Sequence, residues 1–148
     1  MSTDSFKPHH MSITPDDVAG NDGLGRYILL PGSDGRAARI SEHFTDRFVR
    51  EHSRRHNFYA GRIDSGSGPI DVAVVATGMG CPSVDIIVNE LIKVGARRLI
   101  RVGTAGSLQV GRIPIGSVVI ASSAVRDEGT TRHYMPPEIP AVASAAMV

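Results

Sequence analysis

The sequence predicts an α/β fold built around a parallel sheet, and three observations lead to that prediction. Residues 71–77 form an apolar run rich in β-branched side chains, which is typical of a strand covered on both faces. The loop TGMG follows, and residues 82–92 then carry apolar side chains at helical spacing. Residues 98–102 are predicted to be the next strand, and the sequence GTAG follows it. This order makes one βαβ unit, whose parallel strands end at the sheet edge where ligands bind in such folds.

The helix of this unit has recognisable ends. Pro82 suits the first turn, because the missing N–H of proline would lack a partner there anyway. Gly95 follows the last apolar position and predicts a C-cap. The apolar positions fall on one stripe and comprise Val84, Ile87, Val88, Leu91 and Ile92. We therefore predict an amphipathic helix that packs against the sheet.

The first part of the chain predicts an arm followed by another strand, loop and helix. Residues 1–25 are polar and are expected to lie on the surface as an arm, with a helical turn over 13–18 capped by Thr14. Residues 27–30 are predicted to be a buried strand, and the loop PGSDGR follows it. The next helix is expected to have an inward face made of Ala37, Ile40 and Phe44.

The remaining segments are predicted from the same patterns. Residues 47–55 are basic and are expected to be partly helical, whereas 57–63 and 69–77 are predicted to be strands joined by the turn SGSG. An apolar strand is predicted over 117–124. Residues 140–148 are expected to begin a helix.

Composition limits the classes of function. The chain has 148 residues, 41% of them hydrophobic, which is typical of one globular domain. Its formal net charge of +1 offers no basic field for nucleic acid, and no apolar stretch suits a signal peptide or a membrane span. The single cysteine, Cys81, favours a reducing compartment, and adjacent His9 and His10 have no further ligands at metal spacing. We expect a cytoplasmic protein with no metal site, no nucleic-acid partner and no membrane partner.

Three loops are predicted to meet at one edge of the sheet, namely 32–36, 78–80 and 101–106. A loop between a strand and a helix binds anions, because unpaired backbone N–H groups converge there. Arg36, at the start of its helix, either adds charged donors to such a site or is only a surface charge. The sequence contains neither a Walker lysine motif nor GxGxxG, so neither common nucleotide-binding loop is predicted.

Arg101 is the most informative single residue, because it interrupts the apolar strand LIRVG. A charge in such a strand is costly unless another group compensates it. Glu90 could be that group, and Arg101 would then have a structural role. A bound anion is the functional alternative, and two arginines with the hydroxyl group of Thr104 suit the oxygens of phosphate.

Four motifs, taken together and in this order, resemble a known family. They are PGSDGR, TGMGCPS, RVGTAGSL and AVRDEGTTRHYMPPEIPAVA, and the similarity extends from about His10 to Ala143. The chain resembles the N-terminal part of the nucleoside phosphorylases that include uridine phosphorylase and the hexameric purine nucleoside phosphorylases. The resemblance implies a three-layer α/β/α fold with a central mixed, largely parallel sheet. It also implies that 26–148 is the N-terminal part of a single nucleoside phosphorylase domain, truncated at its C-terminus, after an arm formed by 1–25.

The resemblance implies a phosphate site that subunits share. Gly32 matches the glycine whose backbone N–H contacts phosphate. Arg36 and Arg101 match the two arginines that clamp the anion, and Thr104 matches a hydroxyl group that binds it, so these three are the implied catalytic residues. Arg54 matches the arginine that a neighbouring subunit donates to the phosphate site, although adjacent Arg55 fits after a shift of one position.

Four further residues are implied to bind the nucleoside. Met79 matches a residue near the ribose, and Ala105 and Gly106 match the loop beside the base. His10 matches the histidine that reaches the ribose in a neighbouring subunit. Sites shared in this way imply a homo-oligomer, with a dimer as the smallest active unit and a dimer-based hexamer as the form typical of the family.

The activity that the resemblance implies is reversible phosphorolysis of a nucleoside to free base and pentose 1-phosphate. Such a pentosyltransferase serves nucleoside metabolism and nucleotide salvage, uses phosphate as co-substrate and needs no cofactor. The segment EGTTRHYMPPEIPAVA favours a uridine phosphorylase over a purine nucleoside phosphorylase. A hydrolytic nucleosidase is the weakest alternative, because the arginines and threonine above suit phosphate. An inactive fragment that only binds phosphate or oligomerises stays open, because family chains are much longer.

Overall fold

The computed structural model describes residues 6–148. Its contacts divide the chain into two units, of which the first ends at Gly103 and the second comprises Thr104–Val148. Residues 1–5 of the expected N-terminal arm lie outside the described residues. No helix within the described range is long and apolar enough to span a membrane.

Besides a short 3₁₀ helix at Asn21–Gly23, the described residues of the first unit contain three α-helices and five strands. In chain order they are α1 (Pro15–Val18), β1 (Tyr27–Leu30), α2 (Asp34–Ser41), β2 (Thr45–Arg50), β3 (Phe58–Asp64), β4 (Pro69–Val75), α3 (Cys81–Val94) and β5 (Arg98–Arg101). The ends of α3 are confirmed, since Pro82 lies in its first turn and Gly95 is a left-handed C-cap with φ 109°. At α1, the backbone N–H of Thr14 donates a hydrogen bond of 2.9 Å to Asp17, which confirms the predicted cap.

The five strands form one mixed sheet in the order β2-β3-β4-β1-β5. β1 is parallel to both β4 and β5, whereas β3 is antiparallel to β2 and to β4. The tight turn between β3 and β4 makes a hairpin, which is why this pair is antiparallel. β1 lies between β4 and β5, so α3 crosses over β1 to join its two neighbours. The predicted mixed sheet is confirmed.

Helices cover both faces of the sheet, as expected of a three-layer fold. One face of β1 and β4 packs with α3, while the opposite face packs with α2. The α3 side of the core includes Ile28, Leu30, Ala73, Val75, Ile87, Leu91 and Val94. The α2 side includes Leu29, Ala37, Ile40, Phe44, Tyr59 and Val74. The inward positions predicted at Ala37 and Ile40 are confirmed, whereas Phe44 packs in the same cluster but follows the end of α2. Alternate residues of each strand thus enter opposite layers.

The segment before β1 is not a surface arm along its described length. Met11, Ile13 and Val18 are buried in the same cluster as α3, so the expected surface position was wrong for these residues. They are isolated apolar residues in a polar sequence, and the area that each removes from water stabilises the docked segment.

Asp71, in β4, also holds this segment against the sheet. Its carboxylate accepts hydrogen bonds from the backbone N–H of Asn21 at 3.0 Å and from Arg26 and Arg62 at 3.3 Å each. The hydrogen bond from Asn21 lowers the pKa of Asp71; burial raises it, and the two arginines lower it again. The net effect is a pKa below the ordinary value, so the folded chain favours the ionised carboxylate.

The basic segment 47–55 is not helical, and that prediction was wrong. Its first part belongs to β2, where Phe48 pairs with Ala60 and Val49 pairs with Tyr59 of β3. The physical reason is long-range pairing, which outweighs the weak helical preference of the arginine and glutamate residues nearby.

The second unit contains little regular structure. Its only strands within the described residues are β6 (Ser123–Ala124) and β7 (Ala141–Val142), which pair with each other in antiparallel fashion. The strand predicted over 117–124 was therefore wrong except for its last two residues, and 140–148 begins with a strand rather than a helix. Val118, Val119 and Ile120 are exposed, so the apolar run lacks the burial that favours a strand.

Candidate functional site

The parallel strands β4, β1 and β5 bring the starts of three loops to one edge of the sheet. The backbone N–H of Thr77 donates a hydrogen bond of 2.9 Å to the carbonyl oxygen of Pro31. The N–H of Val102 donates one of 3.2 Å to the carbonyl oxygen of Leu30. The loops after β4 and β5 thus begin on either side of the loop after β1, which is the convergence that the sequence predicted.

Gly32 lies next to both neighbouring loops. A Cβ atom placed on Gly32 would lie 3.7 Å from Nη2 of Arg101 and 3.7 Å from the carbonyl oxygen of Gly78. The residue has no side chain to separate its backbone from the guanidinium group. The structure therefore brings together Gly32, Arg101 and the 78–80 loop, three of the predicted parts of the site.

Arg101 is held by backbone carbonyl groups rather than by an acidic side chain. Its Nη1 donates a hydrogen bond of 2.7 Å to the carbonyl oxygen of Leu30 and a second to that of Val102. No ion pair joins Arg101 to a carboxylate anywhere in 6–148. Glu90, its suggested structural partner, instead contacts His9 and His10, so that alternative was wrong. The exposed guanidinium is therefore accessible to an anion.

The start of α2 is fixed by two sets of hydrogen bonds. The Ser33 hydroxyl accepts one of 3.4 Å from the backbone N–H of Arg36 and so caps the helix. Asp34 accepts one of 3.1 Å from the hydroxyl of Tyr59 and one of 3.0 Å from the side chain of Asn57. Burial raises the pKa of Tyr59, and the charge of Asp34 raises it further. Asp34 is thus bound to β3 and its neighbouring loop, while Arg36 is exposed at the helix start.

The loop between β4 and α3 needs glycine. Gly78 and Gly80 have φ of 76° and 79°, a conformation that costs other L-residues about 1–2 kcal/mol. A Cβ atom on Gly78 would also collide with Oγ of Ser83, which donates a hydrogen bond of 2.6 Å to the carbonyl oxygen of Thr77. Met79, between the two glycines, is 92% exposed. The backbone of this loop is therefore tightly constrained, whereas the predicted ribose-binding side chain is accessible.

His56 is a neighbour of this loop that the sequence did not reveal. Its Nδ1 lies 2.7 Å from the carbonyl oxygen of Ala76, which requires a proton on Nδ1. Its Cε1 would lie 3.7 Å from a Cβ atom on Gly78. His56 and Ala76 are 20 positions apart in the chain. They meet because Phe58 at the start of β3 pairs with Val75 at the end of β4 in antiparallel fashion.

The residues that were predicted to serve a neighbouring subunit lie at two other places. His10 contacts Glu90. At a rise of 1.5 Å per residue, Glu90 lies about 14 Å along α3 from the first residue of that helix. Arg54 and Arg55 are both exposed in the loop between β2 and β3. The backbone N–H of Arg54 donates a hydrogen bond of 3.2 Å to Nδ1 of His52. The exposed position suits donation by either arginine.

Thr104, Ala105 and Gly106 open the second unit. All three are exposed and lie outside helices and strands. Thr104 follows β5 by three residues along the chain, so its predicted contact with phosphate depends on the path of the backbone after Gly103. Its role, and those of Ala105 and Gly106, stay predictions.

This geometry suits an oxyanion. Backbone N–H groups of a capped helix start, an exposed guanidinium and a constrained glycine loop together supply directed donors without a competing carboxylate on Arg101. The family model of the Phosphorylase superfamily matches residues 26–148.

The chain belongs to the phosphorylase superfamily. Among curated members, it is 40% identical over 134 residues to a uridine phosphorylase of Treponema pallidum, covering 90% of this chain and 48% of the relative. It is 35% identical over 136 residues to a guanosine phosphorylase of Halorubrum lacusprofundi, covering 92% of this chain and 52% of the relative. This superfamily chain thus spans about half the length of the curated relatives it matches.

Solved structures of the superfamily are similar in fold. A uridine phosphorylase from Vibrio fischeri matches with a TM-score of 0.81 and 31% identity, covering 99% of this chain and 56% of that structure. A purine nucleoside phosphorylase from Toxoplasma gondii, in complex with immucillin-H, matches with a TM-score of 0.82 and 25% identity, covering 99% of this chain and 54% of that one. The phosphorylase fold expected from the four motifs is therefore confirmed.

Proposed function

We propose that this chain supplies the phosphate-binding part of a nucleoside phosphorylase of the uridine type. The observation that most directly supports the proposal is the position of Arg101. Its exposed guanidinium lies beside Gly32 and the 78–80 loop at the sheet edge, and it forms no ion pair with a carboxylate of 6–148. A charge held there by carbonyl oxygens alone is free to bind a multiply charged anion.

The reaction follows from what a bound phosphate can do. Phosphate attacks the anomeric carbon of the nucleoside while the glycosidic bond breaks, which gives free base and pentose 1-phosphate. The developing positive charge on the sugar is stabilised by a phosphate dianion that is already positioned, so the anion is both nucleophile and electrostatic partner. Arg36 and Arg101 hold the dianion because arginine stays protonated at any physiological pH. Gly32 donates its backbone N–H, and Thr104 donates its hydroxyl group.

The nucleoside and a second copy of the chain complete the proposed site. Met79 contacts the ribose, while Ala105 and Gly106 lie along the base. His10 and Arg54 act in the site of a neighbouring subunit, and their accessible positions support this assignment. The active form is accordingly a homo-oligomer, a dimer at least and a hexamer built from dimers. No cofactor takes part, and the cytoplasmic enzyme serves nucleotide salvage as a pentosyltransferase.

Uridine is the favoured substrate because relatives named uridine phosphorylase include the one at 40% identity. A purine nucleoside is the second candidate. It is supported by the guanosine phosphorylase relative and by the purine nucleoside phosphorylase of similar fold. An inactive phosphate-binding module is the third candidate. It is supported by the exposed apolar residues of the second unit.

The test is cleavage of uridine and of inosine by the purified chain, with and without phosphate. Release of uracil that requires phosphate supports a uridine phosphorylase, and preferential release of hypoxanthine supports the purine candidate. Release of base without phosphate would refute phosphorolysis in favour of hydrolysis. Arg101→Ala should strongly reduce the phosphate-dependent reaction by weakening phosphate binding, whereas the exposed Arg97→Ala should leave it unchanged. If no base is released, phosphate binding alone distinguishes the module from a chain with no anion site.

A further inference from the structure

A buried carboxylate on α3 binds the segment that precedes α1. The side chain of Glu90 is 8% exposed. Its Oε1 accepts a hydrogen bond of 3.1 Å from the backbone N–H of His9, and its Oε2 accepts one of 3.1 Å from the N–H of His10. Nδ1 of the His10 ring lies 2.7 Å from Oε1. One side chain therefore fixes both the backbone and the ring of His10.

The protonation state of the carboxylate determines the tautomer of the ring. Burial alone raises the pKa of Glu90, but the hydrogen bonds from the His10 ring and from the N–H groups of His10 and His9 outweigh burial and lower it. Glu90 is therefore ionised at neutral pH, and an ionised carboxylate only accepts hydrogen bonds. The proton of a neutral His10 ring must lie on Nδ1, which leaves the lone pair on Nε2.

We propose that Glu90 is a positioning residue for His10, holding the ring in the tautomer whose Nε2 accepts a hydrogen bond from a ribose hydroxyl group of a nucleoside in the neighbouring subunit. The inference rests on the proposed function, in which His10 reaches that ribose. The ring is 27% exposed, so part of it is accessible while its Nδ1 is engaged. The contact spans 80 positions in the chain, and it connects the N-terminal segment to the helix that begins at the glycine loop.

A purely structural tether would explain the same contacts, so the variant must separate the two roles. Glu90→Gln keeps the length of the side chain and one oxygen, which can still accept from one of the two backbone N–H groups, while its NH₂ group faces the other. Its amide can either accept a hydrogen bond from Nδ1–H or donate one to an unprotonated Nδ1, so it no longer enforces one tautomer. If Glu90 positions the ring, Glu90→Gln changes the tautomer of His10. If Glu90 is only a tether, Glu90→Gln changes only the stability of the chain.

The first measurement is the tautomer of His10 by NMR of the 148-residue chain with ¹⁵N-labelled histidine. The sample is kept at about pH 8.5, above the ordinary pKa of histidine near 6.5. The His10 resonance is assigned by its loss in His10→Ala. We expect one tautomer, protonated on Nδ1, in the wild-type chain and a mixture in Glu90→Gln. A wild-type ring protonated on Nε2, or the same single tautomer in Glu90→Gln, would overturn the proposal, and the wild-type result holds even if the variant fails to fold.

The second measurement links the tautomer to the nucleoside. Glu90→Gln should raise KM for uridine about 3- to 10-fold, the range expected for weakening one hydrogen bond, with little change in kcat or in KM for phosphate. The same substitution made in His10→Ala should have no further effect on KM. An active wild-type chain whose KM for uridine is unaffected by Glu90→Gln overturns the positioning role. If the wild-type chain shows the expected tautomer but catalyses no phosphorolysis, the proposed function is overturned instead. The proposal that Nε2 binds a nucleoside is then overturned as well.

Discussion

Replacing Arg101 by alanine should weaken phosphate binding strongly while leaving the fold almost unchanged. The side chain is exposed, and the structural interactions lost are its hydrogen bonds to two backbone carbonyl groups. The carbonyl of Leu30 would still accept the hydrogen bond of 3.2 Å from the N–H of Val102. No buried acceptor is left unpaired, so we expect the free energy of unfolding to fall by about 0.5–1 kcal/mol.

The effect on phosphate is larger, because the lost interaction involves two charges. Hydrogen bonds between charged groups contribute about 1.5–3 kcal/mol, which corresponds to a Kd for phosphate raised about 10- to 150-fold. The Kd of Arg101→Lys for phosphate should lie between those of wild type and Arg101→Ala, because lysine keeps the charge but loses the planar pair of donors. Arg97→Ala removes an equal charge from the exposed residue that directly precedes β5, four positions before Arg101, and serves as the control.

The assay is titration of phosphate into the purified chain by isothermal calorimetry, with thermal unfolding of each variant measured in parallel. A Kd for phosphate equal in Arg101→Ala and wild type would refute the assignment of Arg101 to an anion site. Loss of the folded state in Arg101→Ala would instead show that the arginine stabilises the end of β5. An equal weakening by Arg97→Ala would mean that the total charge of the chain, rather than the site, attracts phosphate.

Three further substitutions, two of them with a matched control, test the fold that supports the site. Gly78→Ala should lower the free energy of unfolding by at least about 1–2 kcal/mol, because φ is 76° and the added Cβ would also displace the Ser83 hydroxyl. Gly35→Ala, with open space around it in α2, should not lower it, and equal urea midpoints of the two variants would contradict this. Asp71→Asn should destabilise the chain at pH 7 by about 1 kcal/mol. The pKa of Asp71 is lowered in the folded state, so the carboxylate contributes to stability above its unfolded pKa near 3.9. That contribution is lost as the pH falls through the folded pKa. A difference in unfolding free energy between wild type and Asp71→Asn that is the same at pH 2 and pH 7 would refute this prediction. Leu91→Ala, at 0% exposure, should cost about 2–5 kcal/mol in urea unfolding, while Ile92→Ala, at 56% exposure, should change stability by less than about 1 kcal/mol.

Elements that depend on local chemistry could be predicted from the sequence. The spacing of apolar residues identified α3 and most of its inward stripe, and Gly95 marked its end; Ile92, assigned to the same stripe, is exposed, so that part of the prediction was wrong. The glycines of the 78–80 loop were recognisable because few other residues adopt positive φ. Periodicity, capping and turn chemistry act over a few residues, so one sequence contains all the information that they need.

Contacts between distant segments could not be predicted in this way. The first part of the basic segment 47–55 belongs to β2 because its backbone pairs with β3. Met11 is buried because it packs against the apolar surface of α3 and the sheet. Glu90 was considered as a partner for Arg101, yet it binds His10. An arginine or glutamate side chain forms hydrogen bonds with whichever polar groups the fold places beside it, and these groups can be distant in the sequence.

By itself, the sequence determined which strands and helices surround the 78–80 loop, and its four motifs identified the superfamily. The tertiary structure decided that β1 lies between β4 and β5, which places Gly32 against Arg101. It also decided that His56 adjoins Gly78 and that Glu90 orients His10. The physical reason is that strand order and the pairing of buried polar groups depend on hydrogen bonds and desolvation between segments that meet only when the chain folds.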